Sequence, residues 1–380
     1  MSQIQNTTKR PISSSSKKIG VVFGGFSPLH SGHKQQIYKA AMLNDEVIVV
    51  VSGYKGEKRG DGIGLPLEKR FRYLRETFND EPTIHIGMLD ETDIPRYPNG
   101  WSGWVNKLES VMSTLIQDDM TNHEINVYVG EAVYKTKLSI YEPSWNVSVA
   151  DRSTINISAT EIRENPTKYW DYIDRVFRRA FTKKVLITGA ASGGKSTLVR
   201  RLARSMGAPF SEEYARTYEE DSNVDDNELT VNDYFQFIAG QYNANSAEIK
   251  SASNNGIVVF DTDAITTRTY ANLYLPKEDA NKLEPFFQDT ISKQEFDLIL
   301  VVPPVAKYVD DGFRAMEWED SRDEFHDNLM AQFEEFGLMD KVVLLDSPST
   351  EDDPQGFYVR YVQATQAITK YTGVKFETLS

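Results

Sequence analysis

Short apolar runs recur along this chain, and between them the apolar positions fall three and four residues apart. Ile19–Phe23, Glu46–Ser52, Thr83–Met88 and Asn126–Gly130 predict strands in the first half. The intervening spacing predicts helices over Gly32–Leu43, Pro66–Phe78 and Val105–Gln117, and Asn146–Val149 reads as a further short strand. The alternation restarts with Lys184–Thr188, then Ile257–Asp261, Leu298–Val302 and Lys341–Leu345. Strands alternating with helices predict an α/β protein with two doubly wound parallel-sheet domains. Between the halves, Pro166–Thr182 carries Trp170, Tyr172, Ile173, Val176 and Phe177 among charges, the pattern of a packed helical connector that would hold the domains in a fixed relation.

Length agrees, because 380 residues exceed one ordinary core. The expected division is a disordered leader at 1–17, a first domain at 18–168, a connector at 169–182 and a second domain at 183–380. The leader is polar, with Ser13–Ser16 in a row, and lacks the apolar centre of a signal peptide. A net charge of −14 argues against a nucleic-acid or membrane-surface partner. No cysteine occurs, which excludes disulfides, thiolate nucleophiles and zinc–thiolate sites. No apolar stretch reaches the roughly 20 residues of a membrane span. The expectation is a cytoplasmic protein.

Two strings carry phosphate chemistry. The first is Gly25-Phe26-Ser27-Pro28-Leu29-His30-Ser31-Gly32-His33, which leaves a predicted strand and opens a predicted helix. Free backbone N–H groups at such a junction can hold phosphate. His30 and His33 stand one turn apart and can face one phosphoryl group. Spacing alone suits a helix cap or a metal equally; the whole string is more specific. Farther on, Ser158-Ala159-Thr160-Glu161 forms a capping box, and Thr160 and Arg163 in the first turns of that helix make a triphosphate clamp. Lys55, Lys58 and Arg59 lie in a Gly-rich loop and are phosphate candidates. Lys69, Arg70, Arg72 and Arg75 are expected on the solvated side of the helix whose apolar face is Leu67, Phe71, Leu74 and Phe78. In Tyr97–Trp104, Trp101 is expected to be accessible between glycines and to stack on a cationic ring of the pyridinium type; burial as a loop anchor is the other reading.

The second string, Gly189-Ala190-Ala191-Ser192-Gly193-Gly194-Lys195-Ser196, matches the Walker A pattern without departure. Gly189, Gly193 and Gly194 shape the nest, Lys195 reaches the terminal phosphates, and Ser196 can ligate magnesium, with Thr197 beside it. Asp261 ends a strand suited to Walker B. Asp263, two residues on, reads equally as a catalytic carboxylate or a helix N-cap. Glu213 is the candidate to orient an acceptor hydroxyl, with Arg216 as a substrate contact. Asp310–Arg314 and Arg322 bracket a lid-like segment whose arginines would neutralise a transferring phosphoryl group. A switch GTPase would need an Asn-Lys-x-Asp segment, and none is present.

The His30–His33 string, together with Ile157-Ser158-Ala159-Thr160-Glu161-Ile162-Arg163, resembles the nucleotidylyltransferase superfamily. That resemblance implies a Rossmann-like domain passing a nucleotidyl group from a triphosphate to a phosphate acceptor, with Gly25, Phe26, Lys55, Ser158 and Thr160 at the ATP. Joined to a P-loop kinase, the pair is similar to NadR-type proteins, which unite nicotinamide mononucleotide adenylyltransferase and ribosylnicotinamide kinase. The resemblance implies phosphorylation of ribosylnicotinamide by the second domain and conversion of the mononucleotide to NAD by the first, with ATP and magnesium in use. Catalytic roles then fall to His30, His33, Arg163, Lys195, Glu213, Asp263 and Arg314. Some members of that family carry an N-terminal helix-turn-helix; with a first strand near residue 19, no DNA-binding role is expected. Two alternatives stay open: a kinase whose first domain only senses NAD or the mononucleotide, and an ATP-dependent switch coupled to a vitamin transporter. A homo-oligomer is a further possible state.

Overall fold

The computed structural model describes residues 11–12, 17–96, 98–150, 155, 157–304, 321–346 and 350–374. The chain forms two compact units, Met1–Phe181 and Thr182–Ser380. In the first, β1 (Lys18–Gly24), α1 (Ser31–Leu43), β2 (Glu46–Gly53), α2 (Leu67–Thr77), β3 (Ile84–Asp90) and α3 (Trp101–Leu115) alternate as the sequence pattern requires. There follow β4 (Glu124–Val129), α4 (Ala132–Tyr141), β5 (Asn146–Val149), α5 (Ala159–Glu164) and α6 (Arg175–Arg178). The five strands pair in parallel in the order β3-β2-β1-β4-β5.

The apolar runs are unbroken because helices cover both faces of this sheet. Along β2, Val47, Val49 and Val51 face Leu29, Ile37, Phe71 and Leu74. Ile48 and Val50 point the other way, toward Val105, Leu108 and Met112. The expected connector contributes Trp170, Ile173, Val176 and Phe177 to the first of these cores. Ile12, assigned to a disordered leader, is instead docked: it is buried, and its N–H donates to the Leu115 carbonyl at 3.0 Å. Chain order reverses between β1 and β4, which leaves a crevice beyond their carboxyl ends.

The second unit contains β6 (Lys183–Gly189), α7 (Lys195–Met206), β7 (Phe210–Ser211), α8 (Tyr214–Ser222), α9 (Val231–Lys250), β8 (Ile257–Asp261) and α10 (Ala264–Tyr274). It continues with α11 (Lys277–Lys293), β9 (Leu298–Val302), α12 (Arg322–Glu335), β10 (Val342–Leu344) and α13 (Phe357–Thr372). Its strands are again parallel, in the order β10-β9-β6-β8-β7. Leu186, Phe260 and Val301 pack on Phe237, Phe287 and Phe325; Val185, Val259 and Leu300 pack on Leu198, Leu202 and Ile368. Among the described residues, no helix is long and apolar enough to cross a membrane.

A glycine inside α9 brings α8 close. A β-carbon on Gly240 would drive into the ring of Tyr214. Alanine there gains helix propensity and loses this contact, and overpacking is the larger effect. Gly240→Ala is therefore expected to destabilise the second unit by about 1–3 kcal/mol, measured by denaturant unfolding.

Candidate active sites

In the first unit the phosphate-type loop runs from the end of β1 into α1. His30 takes extended backbone angles at the N-cap of α1, and the rings of His30 and His33 stack at 3.7 Å between centroids. Phe26 adopts a positive φ of 43°, a conformation held by its surroundings. Its buried ring meets His33 edge-on at 5.0 Å. Phe26 thus packs against His33 and is not among the residues that line the crevice. The capping box forms: the Ser158 N–H and hydroxyl donate to Glu161 at 2.9 and 2.7 Å, and the Glu161 N–H donates to the Ser158 hydroxyl at 3.2 Å. Arg163 donates to the Thr160 hydroxyl at 2.9 Å and to the Ser27 carbonyl at 2.7 Å, so α5 is tied to the histidine loop.

A cavity of ≈ 1210 Å³ opens there, large enough for two nucleotide-sized ligands, and Gly25, His30, His33, Trp101 and Ser158 line it. Thr160 and Arg163 are not among the lining residues. Lys55 is exposed and does not line the cavity; Arg59, four residues on, does.

Arg70 departs from expectation. It is fully buried, not solvated, because it shares the inward face of α2 with Leu67, Phe71 and Leu74. Its guanidinium donates to the Gly25 carbonyl at 2.5 Å and the Ser52 carbonyl at 3.2 Å, and pairs with buried Glu57. Glu57 also accepts from Arg59 Nε at 2.7 Å. Positions 67, 70, 71 and 74 are the i, i+3, i+4, i+7 set of one helical face, so the periodicity itself carried the signal.

Trp101 also departs. The glycine-rich stretch is helical from Trp101 onward, since Gly100 allows a close approach to the Pro95 carbonyl that a β-carbon would block. Trp101 is consequently buried, though its edge still lines the cavity, 5.4 Å from the Tyr134 ring. Phe23, Trp104 and Tyr134 complete an aromatic wall, with the Trp104 indole donating to Glu91 at 3.2 Å. Sequence reading missed Tyr134 and Glu91, which are remote in the chain. Tyr97 lies outside the described residues.

In the second unit the nest between β6 and α7 has the backbone its glycines permit. Gly189 has φ 139° and Gly194 φ 78°, and a β-carbon on Gly189 would strike the Val302 carbonyl. Lys195 is buried and its ammonium donates to the Ala190 carbonyl at 3.0 Å. Lys195, Glu213 and Arg216 line one small cavity with Tyr234, Phe237 and Tyr270. Glu213 sits at the N-cap position of α8. Gln241 brackets it, accepting from the Tyr214 N–H at 2.8 Å and donating to the Glu212 carbonyl at 3.2 Å. Arg360, on α13, is buried and donates to the Gly193 carbonyl.

Asp263 caps α10. One carboxylate oxygen accepts from the Thr266 N–H at 3.0 Å and hydroxyl at 2.7 Å, and the residue is absent from the cavity lining. Arg322 opens α12 as a buried residue and is likewise not among the lining residues, and Thr197 is exposed on α7. Asp310–Arg314 lies outside the described residues.

Asp261 ends β8 fully inside the protein. Burial, and then the negative charge of Glu213, pushes its carboxyl up to about 6, while Lys195 and the Ser196 hydroxyl work the other way. Its Oδ1 has no hydrogen-bond partner among the described residues. A buried carboxylate oxygen beside a hydroxyl and a phosphate nest fits a hard divalent cation.

These features define two nucleotide-handling classes on one chain. A cytidylyltransferase-like family model matches residues 21–165, and an AAA domain model matches residues 184–352. The chain belongs to the NadR family. It is 31% identical over 328 residues to the trifunctional NAD biosynthesis/regulator protein NadR of Escherichia coli strain K12, covering 84% of this chain and 77% of that protein. The counterpart from Salmonella typhimurium strain LT2 is 31% identical over 330 residues, with the same coverage. A crystal structure of NadR protein in complex with NR superposes with a TM-score of 0.86 at 54% identity, covering 96% of this chain and 99% of that one. Another, in complex with NAD and AMP-PNP, gives 0.85 at 53% identity, again covering 96% and 99%.

The raised Asp261 pKa has a consequence for stability. The folded chain holds that proton more tightly than an unfolded one. The resulting stabilisation is present below the ordinary carboxylate range and is lost as pH rises through about 6. Asp261→Asn removes the penalty of an ionised buried carboxylate. Without nucleotide or metal, this variant is expected to be more stable by about 1–3 kcal/mol near pH 7.5 and to gain nothing near pH 4, by denaturant unfolding.

Proposed function

We propose that the chain is a two-step NAD salvage enzyme. The second unit phosphorylates ribosylnicotinamide with ATP, and the first joins the resulting mononucleotide to the adenylyl group of a second ATP, releasing pyrophosphate. The observation that carries this reading is the pairing of a complete Walker A nest, with Glu213 across its cavity, and a histidine loop tied to a capped helix through Arg163. The NR, NAD and AMP-PNP of the similar structures support the same substrates.

In the second unit, Lys195 and the loop N–H groups hold the ATP phosphates in line with the acceptor. Glu213 accepts the proton of the attacking ribose hydroxyl, and Arg216 holds the acceptor. Ser196 and Asp261 would hold magnesium, which supplies charge neutralisation on the phosphates. Asp263 serves chiefly as the α10 cap, and Arg314 remains a candidate for the transferring phosphoryl group. In the first unit, an oxygen of the acceptor phosphate bonds to the α-phosphorus while the bond to the β-phosphate oxygen breaks. His30, His33 and the N–H groups around Ser158 and Thr160 stabilise the charge that develops. Fixed donors and positioned reactants suffice, with no covalent intermediate.

The aromatic wall of Phe23, Trp101, Trp104 and Tyr134 suits a cationic pyridinium ring. The domains of this reading are 18–168 for the transferase and 183–380 for the kinase, in a cytoplasmic enzyme. Persistence of the phosphate constellation in the first unit favours catalysis there over a purely sensory role.

The test is incubation of the full chain with ribosylnicotinamide, ATP and magnesium, following mononucleotide and NAD over time. Lys195→Ala should lower mononucleotide formation by roughly 100-fold or more while NAD formation from added mononucleotide persists. His33→Ala should give the reverse pattern, with mononucleotide accumulating. Lys195→Ala at full kinase activity, or wild-type chain releasing no pyrophosphate from mononucleotide and ATP, would remove the corresponding half of the proposal.

A further inference from the structure

In the second unit, Tyr234, Phe237, Ile238, Gln241 and Asn245 form the buried stripe of α9. Two carboxamides therefore stand where helical spacing calls for apolar residues, 2% and 5% exposed. The Gln241 NH2 group that donates to the Glu212 carbonyl also donates to Asn245 Oδ1 at 2.9 Å. That oxygen accepts a second bond from the Ser211 hydroxyl at 2.6 Å, which fixes the orientation of the Asn245 amide. Its NH2 group then donates to the Thr262 carbonyl at 3.4 Å. A buried chain of hydrogen bonds thus runs from the peptides flanking Glu213 to the turn between Asp261 and Asp263. That turn is strained: Thr262 has a φ of 80°, a conformation that a β-branched residue keeps only where its surroundings hold it. Its N–H donates to the Ile187 carbonyl of β6 at 3.2 Å, and Asn245 holds its carbonyl from α9.

Resting on the kinase reading of this unit, we propose that Asn245, acting with Gln241, is a positioning residue for phosphoryl transfer. It ties the segment that carries Glu213 to the strained turn after Asp261, and so sets where the acceptor hydroxyl stands relative to the ATP phosphates. Neither carboxamide is among the residues lining the acceptor cavity, whereas Glu213 and Thr262 both are, so the pair acts through them. The tether works against a real force. Burial, and after it the charge of Glu213, raises the Asp261 carboxyl, so the two acids stand near enough to repel. An apolar stripe along α9 would fill the same space but leave the Glu212 and Thr262 carbonyls without these donors. A displacement of about 1 Å in such a supporting element is enough to cost a large factor in rate.

The experiment measures mononucleotide formation by the full chain from ribosylnicotinamide and ATP, with its pyrophosphate release from mononucleotide and ATP as an internal reference. Asn245→Leu should lower kinase kcat roughly 10-fold or more while KM for ATP moves less than about threefold. In a Glu213→Gln background no acceptor carboxylate is left to place, and the same substitution should cost less than about threefold. An equal loss in the two backgrounds would mark a merely structural role and overturn the proposal. A folded Asn245→Leu chain with the kcat of wild type would overturn it too. If thermal unfolding shows that Asn245→Leu does not fold, Gln241→Met, which keeps the side-chain length and removes both bonds around Glu213, is read by the same two criteria. Absence of mononucleotide formation by the wild type would instead strike the kinase reading on which this one rests.

Discussion

A loop that turns its N–H groups toward a phosphate must turn carbonyl groups somewhere else, and both loops of this chain turn them onto a buried arginine. Arg70 takes the carbonyl of Gly25, and Arg360 takes that of Gly193. Neither oxygen has a strand or helix partner at that point, and leaving one buried without a donor would cost more than the bond contributes. A guanidinium is suited to the task because it satisfies the carbonyl and adds positive charge behind the nest. The two arginines come from unrelated places, one from α2 and one from α13. Each loop is therefore held in part by a helix from elsewhere in its own unit.

The two sites solve opposite electrostatic problems. Around the histidine loop, Arg59 and Arg70 gather on buried Glu57, with Arg163 nearby and Glu91 also acting on Arg59. Around the P-loop carboxylates come close together: burial, and then the negative charge of Glu213, raises the Asp261 carboxyl to about 6, against the pull of Lys195. On the proposed reading, magnesium arriving with the nucleotide would relieve that crowding. Gln241 fixes the chain on both sides of Glu213, so its carboxylate starts from a set place.

Much of this was legible in the residues. Parallel sheets covered on both faces leave continuous apolar runs, so β1, β2, β6, β8 and β9 stand out against their surroundings. The Walker A string and the histidine string declare themselves because each needs glycine at specified places before a helix. What escaped was whatever depends on a partner far away in the chain. Charge led Arg70 to be assigned to solvent, although its position on the apolar face of α2 pointed inward. Glycines led Trp101 to be taken as accessible, whereas Gly100 serves to begin α3 close against Pro95. Glu91 and Tyr134 had no local signature, since only folding brings them to the tryptophans. Asp263 was ambiguous in the sequence for a sound reason: a carboxylate two residues past a strand end is as well suited to cap the next helix.

Lys195 has a partner within its own loop. Its ammonium lies against the carbonyl of Ala190, within the loop it serves. An arriving phosphate therefore does not meet a hydrated, freely rotating charge; it competes with an oxygen of the protein for a lysine that is already desolvated. Binding is an exchange of partners, in which the gain is the difference between an anion and a neutral carbonyl rather than the whole of a new ion pair. Such a lysine contributes less to holding the substrate than its charge suggests, and it is spared the reorganisation that a solvated side chain would undergo as the phosphoryl group begins to move.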